Sequence, residues 1–269
     1  MNKRLNWKVN KENGCVEILR IDNNDIRIWG WGVETADRYS FFSQDKLGGI
    51  KVKLLDKKIE ITDENINSFF VVKLKKILLK ITLEDKIEES QIKRRYVLES
   101  LTDGYLSDFV TRAVFDKKLV DKANIGGRIF EFYGLNLYRQ YPTNKVLLNT
   151  KLGDIELVTK TPHYYSNFNL LSYVRDEPPN KWVIHHRLLS GCNQHLLLQF
   201  YKFVLNEQFC PLLRWKKFVE KFWLYSEEKN SRLPFTFQTA SYSFLSKGDK
   251  LEMLSSIIIK SNKNRIFNL

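Results

Sequence analysis

The feature that most constrains this chain is a series of short segments in which apolar residues alternate with polar ones. Near the start, residues 15–21 and 26–31 alternate in this way on either side of the turn-forming Asn-Asn-Asp at 23–25. Alternation with a period of two is typical of strands that bury one face, and two such runs flanking a polar turn predict a β-hairpin. Because similar runs continue as far as Leu54, residues 1–62 are predicted to form strands.

A different spacing begins near residue 62. Large apolar residues recur there at intervals of three and four, at Ile66, Phe70, Leu74, Ile77 and Ile81. This spacing matches one face of a helix. Similar patterns over 92–101 and 106–120 lead to the prediction that residues 63–125 are mainly helical. The β-branched and aromatic run at 69–72 also suits a strand, so that alternative stays open for this segment.

The glycine pair at 126–127 returns the chain to short alternating runs, which predict an antiparallel strand meander over 126–190. Residues 191–229 carry two apolar stripes at helical spacing, separated by Pro211, and predict a pair of helices. Residues 230–269 predict a final strand and a tail. Together the segments predict a single α+β domain over 1–269, with a mainly antiparallel sheet covered by the central helices and the C-terminal helix pair.

The charge of the chain indicates a class of partner. Its 44 Lys+Arg residues against 31 Asp+Glu give a formal net charge of +13. Lysine, asparagine and isoleucine all have AT-rich codons, so codon usage accounts for part of the lysine excess. A net charge of this size still attracts polyanions. The leading interpretation is therefore a basic binding or assembly protein that engages an anionic partner such as nucleic acid. A protein partner and the oligomeric state are left open.

Cysteine usage and hydropathy favour a soluble protein of the cytoplasm or an equivalent reducing compartment. The three cysteines are odd in number and widely spaced, unlike an extracellular disulfide framework. The first residues lack the apolar core of a signal peptide. Lysines interrupt the most apolar stretch, at 69–83, so no segment offers the ~20 apolar residues that span a bilayer.

A histidine cluster supports an alternative interpretation, an enzyme. All four histidines fall within 33 residues, between His163 and His195. Histidine transfers protons near neutral pH, and carboxylates orient it. Cys192 follows a glycine at a predicted strand-to-helix junction and is a candidate nucleophile. The predicted catalytic residues of this site, centred on 176–195, are Asp176, Glu177, His185, His186, Arg187 and Cys192. Neighbouring strand residues point to opposite faces, so at most one of His185 and His186 is expected to serve.

Metal and anion sites are further hypotheses. Cys192 and His195 have a spacing that can place a thiolate and an imidazole on one metal ion. Either His185 or His186 could add a third ligand, although no fourth ligand is evident. Asp154, Glu156 and Lys160 match a metal-dependent nuclease only loosely, and the cofactor is otherwise unknown. The predicted anion-binding residues are Arg139, Arg175, Arg214 and Lys217, since arginine suits bidentate recognition of phosphate or carboxylate. Ordinary packing and solvation are the simpler alternative for all of these residues.

Overall fold

The structure is a computed structural model that describes residues 5–21, 24–37, 39–88, 90–136, 138–190 and 242–261. Within these ranges the chain consists of strands and their connections and contains no helix. The prediction of an α+β domain is therefore wrong for the described chain. Its strands form two large antiparallel sheets, and the buried side chains of both pack together in the core between them. This arrangement is a β-sandwich.

The first sheet has nine strands. Its main path runs in the order β1 (Leu5–Val9), β2 (Val16–Ile21), β3 (Asn24–Ala36), β11 (Asp108–Asp116), β18 (Lys181–Ser190), β17 (Phe168–Glu177) and β14 (Tyr138–Tyr141). Two short strands extend it at one end, β4 (Phe41–Ser43) on β3 and β5 (Gly48–Ile50) on β4. The predicted N-terminal hairpin is confirmed, because β2 and β3 are antiparallel neighbours.

The second sheet also has nine strands. Their order is β13 (Arg128–Glu131), β12 (Val120–Ile125), β15 (Lys145–Thr150), β16 (Gly153–Lys160), β20 (Lys250–Ser261), β9 (Gln91–Ser100), β8 (Leu78–Glu88), β7 (Asn65–Lys73) and β6 (Lys53–Ile61). A separate small pair joins β10 (Gly104–Leu106) to β19 (Ser243–Leu245). The C-terminal β20 lies in the middle of the second sheet, between β16 and β9.

The core lies between the two sheets and follows from the period of two. In β18, Trp182, Ile184 and Leu188 point into it, and in β20 Met253 and Ile257 do so from the other side. Such alternation is what a strand with one inward face requires. The other face of the first sheet is therefore turned away from the core.

The residues predicted as helical at 66–81 are strands because a spacing of four fits both periodicities. Ile66 and Phe70 are four apart in β7, and Ile77 and Ile81 are four apart at and after the turn into β8. All four are buried. Val72, two residues after Phe70, and Leu79, midway between Ile77 and Ile81, are buried as well, as the period of two requires. Packing against the first sheet buries this face. The β-branched and aromatic residues of these strands fill such a pleated surface well.

Other sequence predictions need similar correction. Residues 92–101 form most of β9, where Arg94 occupies an inward position and obscures the alternation. The meander predicted at 126–190 is divided, with β13, β15 and β16 in the second sheet and β14, β17 and β18 in the first. The helix pair at 191–229 lies outside the described residues. No helix among the described residues is long and apolar enough to cross a membrane.

Candidate active site

A concave cavity of about 440 Å³ lies on the outer face of the first sheet. Four adjacent strands, β3, β11, β18 and β17, supply most of its lining. Their register places key residues side by side, since Arg112 in β11 is opposite His185 in β18, and His185 is opposite Tyr173 in β17. Gly32 in β3 is opposite Arg112 on the other side of β11 from His185. Alternation then turns every second residue of each strand toward the cavity.

The pair at the centre of this cavity is Glu34 and His185. The Nε2 atom of His185 lies 3.7 Å from Oε2 of Glu34. Both residues are largely buried, at 8% and 7% exposure. The His185 Nε2 atom has no hydrogen-bond partner among the described residues. A carboxyl group and an imidazole in this arrangement can pass a proton to or from a third group that enters the cavity.

The environment shifts the pKa of both groups, in opposite directions. Burial raises the pKa of Glu34 to about 7, although the positive charge of Arg112 acts in the opposite direction. Burial also lowers the pKa of His185 well below its ordinary value, and the neighbouring guanidinium of Arg112 lowers it further. The imidazole is thus neutral at pH 7, while the Glu34 carboxyl group is divided between its two protonation states.

A second layer of polar residues holds Glu34 in place. Arg112 places its Nε 3.4 Å from Oε1 of Glu34, and it donates a hydrogen bond of 2.7 Å to Oδ2 of Asp45. The Ser43 hydroxyl lies 3.3 Å from the same Oε1 atom and also contacts the Asp45 carboxylate. The negative charge of Asp45 helps to keep the pKa of Glu34 high. Glu34 is therefore positioned by an ion pair with Arg112 on β11 and a hydrogen bond from Ser43 on β4, and Asp45 binds both of these partners.

The rest of the cavity combines ion pairs with aromatic rings. Arg187 pairs with Asp108, and Arg175 pairs with Glu177. The aromatic side chains that line it are Trp29, Phe41 and Tyr173. The Tyr173 ring lies 4.3 Å from that of His185, measured between centroids. A concave site with apolar rings and a few convergent polar groups is typical of a small-molecule site.

Two of the predicted catalytic residues face the opposite way. His186 lies between the sheets, where its Nδ1 is 2.6 Å from the Ser172 hydroxyl, and burial lowers its pKa to about 3. Asp176 is fully buried beside Arg139, with 3.4 Å between Oδ1 of Asp176 and Nη1 of Arg139. The Asp176 carboxylate also accepts hydrogen bonds from the backbone of Tyr133 and Leu135. Asp176 therefore fixes the loop before β14. Neither Asp176 nor His186 lines the cavity.

The structure therefore brings together only part of the predicted site. His185, Arg187 and Glu177 line the cavity, as does Arg175, which the sequence predicted as an anion-binding residue. Arg139, predicted in the same role, is buried in the core with Asp176. The remaining predicted residues lie outside the described part of the chain: Cys192, His195, Arg214 and Lys217.

Among the described residues, no three His, Cys, Asp or Glu side chains are grouped so that they could hold a metal ion. Glu156, considered for a nuclease, lies on β16 of the second sheet and is bound by Lys145 and Lys260. The predicted metal pair of Cys192 and His195 lies outside the described residues.

The sequence alone missed residues that contribute most to the cavity. Glu34 lies beyond the predicted end of the second strand, and Asp108 and Arg112 lie in a segment predicted as a helix. Alternate polar positions in Asp108–Asp116 offered a signal, since Asp108 and Arg112 share one face of β11 while Phe109 and Ala113 share the other.

Comparison with known proteins identifies the fold. No protein-family model matches the chain, and no curated protein matches its sequence. Solved structures do match it in three dimensions. A putative aldose 1-epimerase from Escherichia coli K12 is 7% identical with a TM-score of 0.53, over 96% of this chain and 96% of that chain. A galactose mutarotase related enzyme from Lactobacillus acidophilus is 7% identical with a TM-score of 0.52, over 98% and 97%.

A third similar structure is a galactose mutarotase-like protein from Lactobacillus casei, 8% identical with a TM-score of 0.50 over 97% of this chain and 98% of that chain. What they share is the fold. This likeness corrects the leading interpretation of the sequence, a basic binding protein with an α+β fold and a nucleic-acid partner, which is wrong. The alternative, an enzyme with a histidine, arginine and carboxylate site, agrees better with the fold and with the cavity.

Proposed function

We propose that this protein is an enzyme that interconverts the α and β anomers of an aldose. The observation that carries the proposal is the pairing of Glu34 and His185, 3.7 Å apart in a concave cavity of the first sheet. The fold supports it, because proteins named as a putative aldose 1-epimerase and a galactose mutarotase related enzyme share this sandwich. At such low identity the fold alone does not assign an activity, so the proposal depends on the chemistry of the site.

Interconversion of anomers requires two proton transfers, one at each of the two oxygen atoms attached to C1. The anomeric hydroxyl loses its proton to a base as the bond between C1 and the ring oxygen breaks, and the ring oxygen takes a proton from an acid. An aldehyde forms, rotates about the bond from C1 to C2, and closes again by the reverse transfers. The two oxygen atoms are attached to the same carbon, so the acid and the base must lie close together, as Glu34 and His185 do.

The protonation states of the pair define the role of each group. Because the pKa of Glu34 is about 7 and that of His185 is well below its ordinary value, the pair holds one transferable proton near neutral pH, on Glu34. Glu34 then protonates the ring oxygen, and Nε2 of His185 accepts the proton of the anomeric hydroxyl. The two groups exchange roles when the ring closes, which regenerates the starting state.

The other cavity residues suit a sugar. Trp29, which is 37% exposed, presents a ring against which the C–H face of a pyranose packs, whereas the Tyr173 ring is 4% exposed and lies against His185. The ion pairs of Arg187 with Asp108 and of Arg175 with Glu177 offer both donors and acceptors to ring hydroxyls. A polar group in such a site selects for the hydroxyl it binds, because a substrate lacking that hydroxyl leaves the group unpaired.

Polarimetry tests the proposal. Freshly dissolved α-D-glucose and α-D-galactose are followed as their optical rotation relaxes, with and without the protein. The native protein is expected to accelerate the relaxation, and Glu34→Gln to lower the enzymatic rate by about 10²–10⁴-fold through loss of proton transfer. Glu60→Gln is the matched control, since Glu60 is an exposed carboxylate of β6. No acceleration by the native protein for any aldose, or equal rates for Glu34→Gln, would contradict the proposal.

A further inference from the structure

A second, smaller cavity of about 360 Å³ lies beside the first one. Asp37, which directly follows β3, lines both cavities, so the two are adjacent. The other lining residues of the second cavity come from four different parts of the chain: Tyr39, Lys76, Gly104, Tyr105 and Tyr242. Its volume falls within the range of small-molecule sites, about 300–1,000 Å³.

The wall between the cavities is held firmly. One Asp37 oxygen accepts hydrogen bonds of 2.6 and 2.7 Å from the backbone of Tyr39 and Ser40, and the other accepts one of 3.1 Å from the backbone of Lys76. Asp37 is only 2% exposed. It thus ties the connection after β3 to the turn between β7 and β8, and it fixes the position of the second cavity relative to the first.

The second cavity carries exposed aromatic rings at its rim. Tyr105 is 47% exposed, and its ring makes edge-to-face contacts with Tyr242 at 5.2 Å and with Phe244 at 5.3 Å. Tyr242 and Phe244 are also exposed. Contiguous exposed aromatic residues mark binding sites more often than they occur by chance on a surface. The two contacts hold the Tyr105 ring in one orientation, so it forms a preset platform.

The two cavities are lined by neighbouring residues of one chain segment. Tyr105 lines the second cavity and Asp108 the first, and they are three residues apart in the chain. Three residues span at most about 11 Å. Gly104 contributes to this proximity, because a Cβ atom there would lie 2.7 Å from the Cβ of Ile77. The absence of a side chain lets β10 approach the turn between β7 and β8, which forms the floor of the second cavity.

We infer that the second cavity is a subsite for the next sugar of an oligosaccharide whose reducing-end unit occupies the first cavity. The inference rests on the proposed function, which places the anomeric carbon beside Glu34 and His185. Tyr105 stacks on the face of the second pyranose, and Lys76, which is exposed at the edge, donates to its hydroxyls. The favoured substrates are then reducing oligosaccharides rather than free monosaccharides.

The experiment compares reducing disaccharides with monosaccharides on the full chain. The probes are lactose, maltose and cellobiose against D-galactose and D-glucose, with kcat/KM measured by polarimetry and Kd by calorimetric titration. We expect at least one disaccharide to exceed its reducing-end monosaccharide in kcat/KM. We expect Tyr105→Ala to lower this ratio by about three- to tenfold, the scale of one lost aromatic contact. Tyr105→Phe, which keeps the ring, should retain the ratio.

Tyr164→Ala is the matched control, because Tyr164 is 91% exposed and lines neither cavity. An unchanged ratio in Tyr105→Ala, or no preference for any disaccharide, overturns the subsite while leaving the proposed function intact. Tyr105-dependent binding of a disaccharide without any anomer interconversion keeps the subsite and overturns the proposed function. A change from dimer to monomer in Tyr105→Ala by sedimentation, without an effect on saccharides, assigns the aromatic surface to a second copy of this chain and overturns the subsite.

Discussion

Replacing Glu34 by glutamine should lower the activity and raise the stability, and the gain in stability should depend on pH. The carboxyl group is buried beside His185, and burial raises its pKa from 4.5 to about 7. A carboxyl group with a raised pKa in the folded state favours the protonated form there. Ionisation above the pKa of the unfolded chain therefore destabilises the fold, and the penalty is complete once the pH exceeds the folded-state pKa.

The size of the effect follows from this pKa. A rise from 4.5 to about 7 corresponds to about 3 kcal/mol, which the native protein loses between pH 4.5 and 7 and which a neutral glutamine does not lose. Glu34 is only 8% exposed, so solvent screening reduces this figure little. The buried histidines have the opposite effect. Because burial lowers their pKa, they reduce the free energy of unfolding as the pH falls below about 6.5. They are present in both proteins, so their contribution cancels in the difference except for the coupling of His185 to Glu34 across 3.7 Å.

Urea denaturation followed by tryptophan fluorescence measures the difference. The free energy of unfolding of Glu34→Gln minus that of the native protein should increase by about 2–3 kcal/mol between pH 5 and pH 8. Glu60→Gln, which changes an exposed carboxylate in a surface ion pair, should show no such increase. A difference that stays constant with pH would mean that Glu34 ionises normally, which would refute the proposed acid and its environment.

Three further predictions concern the same sheets. First, kcat/KM should fall as the pH rises through about 7, because Glu34 loses the transferable proton, whereas a rise through this pH would show that the carboxylate is the active form. Second, His185→Asn should lower kcat/KM by about 10²–10⁴-fold, and His186→Asn should instead lower the unfolding free energy by roughly 1–3 kcal/mol. Equal activity losses would show that the face of β18 does not decide the role. Third, Asp85→Asn should destabilise the protein by about 3–5 kcal/mol, since Arg94 then stays charged and buried without its bidentate partner. Urea denaturation measures this loss, and the double variant Asp85→Leu/Arg94→Met should recover part of it if the isolated charge is the cause.

Local sequence patterns were sufficient to predict strands in which polar and apolar residues alternate strictly, because that spacing does not fit a helix. The hairpin of β2 and β3 and the strand β18 follow from alternation and a polar turn, and the structure confirms both. The same rule separated His185 from His186 onto opposite faces. Alternation also failed in a predictable way. A spacing of four, as between Ile66 and Phe70, suits both a helix and a strand, and only pairing with other strands decides between them.

The cavity could not be derived from the sequence because its parts are distant along the chain. Glu34 and His185 are on β3 and β18, and β11 lies between these strands in the sheet. Sequence proximity favoured Asp176 as a partner for the histidines, yet Asp176 is in the core with Arg139. Strand order is set by long-range pairing, which no local pattern encodes.

The sequence by itself determined which residues can share a face, because the side-chain period of a strand is fixed by backbone geometry. It also placed functional interest in the region of His185, Arg187 and Glu177, which do line the cavity. Only the tertiary structure decided which faces meet. Packing of the two sheets placed one side of β18 in the core and turned the other toward the cavity, and pairing of β3 with β11 brought Glu34 to His185. Burial within that arrangement then raised the pKa of Glu34 and gave a common carboxylate its proposed chemical role.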